Sequence, residues 1–173
     1  MKSSKNQMRK NGKVANQVQD FANKNNPVLQ KIQASGRNCT IIQEGKDYVF
    51  IDKDLDIPIG MFTQRSDSYI EIALYRDGTN TQHRGKEIFA ALLENHKQRG
   101  ISFKGFMGTW SGGDSDNRKS FNDFVLSGLS KEEAALKVWT GERVKDLGFT
   151  KVTMVKLEPD KPPYTSVVVR FDK

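Results

Sequence analysis

The sequence is poor in the residues that build disulfides and metal centres. Cys39 is its one cysteine, and His83 and His96 are its two histidines, in 173 residues. That excludes an internal disulfide, a multi-thiolate metal site and a histidine-rich one. Next to Ile41 in a strand-like run, Cys39 reads as a small buried hydrophobe. No apolar run approaches the roughly 20 residues of a membrane-spanning helix. The basic opening residues lack the apolar segment of a secretory signal, so nothing in them directs the chain into the general export route. Acidic residues are almost missing before Asn38: Asp20 alone stands against eight cations, among them Lys5, Arg9, Lys10 and Lys13. The net charge of +7 therefore belongs to an N-terminal stretch, and the remainder of the chain is balanced.

What is present suits a soluble globular protein. Hydrophobic residues make up 36% and charged residues 28%, and the length fits one domain with a proper core. The organisation expected is a basic arm over residues 1–37 and a single α+β domain over 38–173. Residues 1–13 hold almost nothing to bury and read as disordered. Val14, Val18, Phe21 and Ala22 then share the face of a short amphipathic helix that Pro27 stops, and 28–34 reads as a further turn or two of helix. Strand-like runs follow at 39–43, 48–52, 57–63 and 68–75, with turn signals between them, as in antiparallel hairpins.

From Arg84 the period becomes helical, with Ile88, Phe89 and Leu92 on one side and Arg99-Gly100 closing the helix. The next strand is expected over 103–110, and the loop after it contains Asp114 and Asp116. Asp116 or Asn117 can cap a helix carrying Phe121 and Phe124. Ser130 and Glu133 form a capping box for a helix running toward Leu147, in which Gly141 marks a kink or close packing. Strands at 149–157 and 165–171 end the chain, with Val167, Val169 and Phe171 on one face. The sum is a mixed, mostly antiparallel sheet of about six to seven strands with helices on its faces.

In this order of elements the chain resembles the acyl-CoA acyltransferases of the GCN5-related N-acetyltransferase superfamily. In that fold a strand like 69–75 leads into a loop and a helix whose N-terminus holds the coenzyme A pyrophosphate. Unpaired N–H groups and the positive dipole end there receive phosphate oxygens. Gln82, Arg84, Gly85 and Lys86 stand at that position, and 144–149 resembles the family's helix into its Gly-Phe strand. The resemblance implies an acyl-CoA N-acyltransferase-like fold, acetyl-CoA or another acyl-CoA as cofactor, and those four residues as its binding set. It also implies Glu71, mid-strand, as the base that deprotonates an acceptor amine, while the residue pattern alone allows a solvent-facing strand carboxylate. Glu87 and Phe89 stand where the family has glycine or another small residue, which implies weak coenzyme A binding. Val144 stands where many members carry a tyrosine that protonates the thiolate leaving group.

The segments Trp110-Ser111-Gly112-Gly113-Asp114, Ser127-Gly128-Leu129-Ser130 and Trp139-Thr140-Gly141 resemble a stretch of the C-terminal toxin modules of bacterial polymorphic toxins. That resemblance implies an effector of bacterial competition, acting in the cytoplasm, delivered as the tail of a larger secreted chain and countered by a cognate immunity protein. Three functions are open on this reading. The first is an acyltransferase-like toxin. The second is a nucleic-acid-directed toxin of ribonuclease type, whose Lys5, Arg9, Lys10 and Lys13 hold an RNA backbone while Asp114, Asp116 or His83 does the chemistry. The third is a non-catalytic binding module on the same fold. Asp114 and Asp116 offer carboxylates for acid chemistry or for a divalent cation, and read equally well as a flexible loop and helix cap.

Overall fold

The computed structural model describes residues 27–34, 36–74, 85–112 and 115–173. They form an α+β fold of eight strands and four helices. In chain order these are β1 (Val28–Ala34), β2 (Arg37–Glu44), β3 (Asp47–Asp52), β4 (Ile57–Gln64), β5 (Tyr69–Leu74), α1 (Gly85–Gln98), β6 (Gly105–Ser111), α2 (Asp116–Leu126), α3 (Lys131–Lys137), α4 (Trp139–Lys145), β7 (Lys151–Glu158) and β8 (Ser166–Asp172). Hydrogen-bonded neighbours follow the order β1-β2-β3-β4-β5-β6-β8-β7. The sheet is mostly antiparallel, as expected, but has one strand more than the six to seven read from sequence. The addition is β1, where helical turns were expected. Gly36 turns the chain at φ +73°, and the segment before it then pairs antiparallel with β2, Ile32 opposite Cys39. The ladder available to Val28–Ala34 outweighs an apolar spacing that would also suit a helix.

By its contacts the chain divides into two units. The first holds the described residues up to Met61, with Leu74 and 85–95. Its β2 and β3 are buried on both faces: Ile41 pairs with Phe50 on one, Ile42 with Val49 on the other, and Ile51 and Met61 join the second cluster. In β4, Gly60 lies so close to Ile88 and Leu92 of α1 that a Cβ would collide with Ile88. The missing side chain is what lets this helix settle on the strand.

The second unit holds Phe62–Ala73 and the described residues from His96 onward. β8 pairs antiparallel with both β6 and β7, so the last strand lies between two earlier ones. Val167, Val169 and Phe171 all point to one buried face, as their alternation predicts. That face meets Trp110 and Phe121, whose rings lie 5.9 Å apart. The helix expected to run from Ser130 toward Leu147 is instead two helices, broken at Val138, which is extended at ψ 161°. The break has two tertiary causes. A Cβ on Gly141 would strike the carbonyl of Ala135. Asn117 also accepts from Thr140 N at 3.3 Å and donates to Thr140 Oγ1 at 2.7 Å, holding the start of α4 from outside the helix.

Candidate functional site

The site builds from β5. Ile70 is fully buried, so Tyr69 and Glu71 share the opposite, half-exposed face of the strand. β5 and β6 run parallel, and among the described residues their register covers three pairs: Tyr69 with Gly105, Ile70 with Phe106, Glu71 with Met107. Beyond Glu71 each strand continues but no longer pairs with the other. Backbone N–H and C=O groups on the two facing edges are thereby directed into the gap where the strands part.

Glu71 belongs to a chain of charged side chains. Arg65 donates to Glu71 Oε2 at 2.9 Å and approaches Asp67 at 3.8 Å. Arg170, in β8, binds Asp67 at 2.6 Å and lies over the Tyr69 ring at 4.7 Å. The Tyr69 hydroxyl donates to Asp172 at 2.6 Å. This bond, then burial and the carboxylate's charge, raises the Tyr69 pKa above the ordinary tyrosine value. β6 stands between β5 and β8, and Gly105 makes the crossing possible: a Cβ there would strike the Phe171 carbonyl and crowd the Tyr69 ring. Arg65 engages Glu71 through Oε2, a charge-assisted bond that fixes the carboxylate's orientation.

The remaining sequence candidates are scattered. Gln82, His83, Arg84, Asp114, Lys5, Arg9, Lys10 and Lys13 lie outside the described residues. Gly85 is the first residue of α1, and Lys86 and Glu87 are exposed in its first turn. Phe89 is 5% exposed beside Ile88, so its ring is a packing element of the core rather than a loop substituent. Asp116 opens α2 and is exposed; the N-cap is Ser115, not Asp116 or Asn117, and its hydroxyl accepts from Arg118 N at 3.3 Å. His96 is fully buried, edge-on to Phe62 at 5.3 Å. Trp110 is core, and Trp139 is half-buried beneath Arg143. Cys39 is buried, and burial, then the charge of Asp52, pushes its thiol up to about 11, far from a reactive thiolate. Among the described residues no three His, Cys, Asp or Glu side chains gather as metal ligands, and no helix is long and apolar enough to cross a membrane.

Glu71 stands mid-strand as read from the sequence, and the side chains around it, Arg65, Asp67, Tyr69, Arg170 and Asp172, were not read from it. The available signal was alternation: Arg170 and Asp172 flank the apolar Phe171, as Tyr69 and Glu71 flank Ile70. No family model, curated protein or solved structure matches the chain.

Proposed function

We propose that this chain is an acyltransferase-like effector domain on an acyl-CoA N-acyltransferase-like fold, with Glu71 as base and an acyl-CoA as cofactor. The observation that carries this reading is the parallel β5–β6 pair, connected through α1, whose strands stop pairing after Glu71. Two chemical needs of such a reaction meet there: the parting strands offer backbone groups to an amide-bearing cofactor arm, and Glu71 offers a carboxylate to an acceptor amine. The start of α1 at Gly85, with its N–H donors, is the segment assigned to the phosphates. In the transfer, the amine nitrogen attacks the thioester carbonyl, its proton passes to Glu71, the C–S bond breaks, and the coenzyme A thiolate leaves and takes a proton from solvent.

Glu87 is the local obstacle, an exposed carboxylate in the first turn that receives the phosphates. Titration calorimetry with coenzyme A should therefore show weak binding to the wild type and binding at least about fivefold tighter to Glu87→Gln, since removing one like charge is worth roughly 1 kcal/mol. Binding by neither protein would overturn the cofactor assignment.

A second reading is a nucleic-acid-directed toxin of ribonuclease type, favoured by one observation: all the excess positive charge precedes Asn38. In that case RNA, not coenzyme A, is the ligand.

A further inference from the structure

β7 ends the hydrogen-bonded order of strands, and among the described residues no strand lies beyond it. Its eight residues, Lys151 to Glu158, form a long edge, and such an edge presents a row of backbone donors and acceptors to any strand that fits it. Which strand fits is fixed by a bulge. The register against β8 passes from Met154–Val169 directly to Lys156–Val168, leaving Val155 as an extra residue, 48% exposed.

In a regular strand Lys151 and Glu158, seven positions apart, would face opposite sides of the sheet. The extra residue reverses the parity of the second half. Lys151, Thr153, Lys156 and Glu158 consequently share the polar face, opposite Asp172, Arg170, Val168 and Ser166 of β8, while Val152, Met154 and Leu157 share the apolar one.

That pattern is self-complementary. We infer that β7 is a homodimer interface, in which two copies pair their β7 strands antiparallel about a two-fold axis at the Met154–Val155 bulge. In this register Lys151 stands opposite Glu158 of the second copy, Val152 opposite Leu157, and Thr153 opposite Lys156, every pair on a matching face. Residues on one face also direct their backbone groups to one edge, so the hydrogen-bonding classes match as well. By symmetry the Lys151–Glu158 pair forms twice. Within one copy Glu158 already has Lys156 at 2.9 Å, and the partner's Lys151 would extend that pair across the seam. A strand edge alone buries less than a standard interface, so the dimer is concentration-dependent.

Sedimentation velocity on the full chain tests this, from a few micromolar to about 1 mM, the range in which an edge-only dimer should form. Wild type should move from monomer to dimer. Lys151→Glu and Glu158→Lys should each weaken the dimer about tenfold or more, because each turns two attractive pairs into two repulsive ones. The double variant Lys151→Glu, Glu158→Lys should restore it. These side chains lie on the solvated face, and matching thermal melts would show that the fold is intact. A wild type that stays monomeric at all concentrations would overturn the inference, as would single variants that dimerise like wild type. So would a double variant as weak as the singles.

Discussion

Gly105 has no side chain, yet a contact of the polar face that spans 103 positions depends on it. The Tyr69 ring reaches Asp172 by passing over β6 at this residue. A methyl group at Gly105 would meet the Phe171 carbonyl, which belongs to a paired strand and cannot swing away as a flexible side chain could. Gly105→Ala should therefore destabilise the protein by about 2–3 kcal/mol, the upper part of the usual range for overpacking. Denaturant unfolding followed by tryptophan fluorescence checks it, and a midpoint equal to wild type would show that the strands can move apart at no cost. The same substitution should weaken the hold on Glu71, since Tyr69, Arg170, Asp67 and Arg65 lead to it in sequence.

At the scale of elements, α3 is seven residues long, too short to persist on propensity alone, and is set by its first turn. Ser130 accepts from Glu133 N at 3.2 Å, and Glu133 accepts from the Ser130 hydroxyl and backbone N–H at 2.8 and 3.0 Å. Those two bonds hold the Glu133 carboxyl below its ordinary pKa. A depressed carboxyl pKa contributes stability that is present above the unfolded value, near pH 4, and is lost as pH falls through the folded value. Ser130→Ala should cost about 1 kcal/mol at neutral pH, the usual cost of losing a serine cap, and less in acid. Thermal melts of both proteins at pH 7 and pH 2 check this, and an equal cost at both would remove Glu133 from the account. The capping box was legible because its partners lie three residues apart. The hairpins of β2 to β4 were legible because alternation and turn residues are also local. The break at Val138 was legible in part, through Gly141, but the hold of Asn117 on Thr140 was not, and neither was β1, which becomes a strand through its pairing with β2. The site divides in the same way: Glu71 could be read from its place in a strand, with Arg65, Asp67 and Tyr69 near it in the chain, whereas Arg170 and Asp172 arrive from β8, 103 positions away from Asp67 and Tyr69.

For the molecule as a whole, the question is what the charge at the N-terminus does. Because β1 begins at Val28, the segment to remove is residues 1–26, which carries six cations and Asp20. On the nucleic-acid reading, RNA affinity measured by filter binding should fall when it is deleted. For the full chain it should drop by about a thousandfold between 50 and 200 mM salt if all six cations meet phosphates, because released counterions drive the binding. Equal affinities with and without the segment would reject it as an RNA contact. A parallel melt separates a second outcome, a large loss of stability, which would assign Val14, Val18 and Phe21 to the core instead.

The position of β8 governs how the second unit can be made. During synthesis from the N-terminus, β6 and β7 emerge before the strand that joins them, and they form no ladder with each other. Until Ser166–Asp172 slots between them, the growing polypeptide displays the edges of β6 and β7 that β8 will cover and the apolar faces of Val152 and Leu157. A chain truncated before Ser166 lacks the strand that pairs with both β6 and β7, and should be cleaved by protease faster than the full chain.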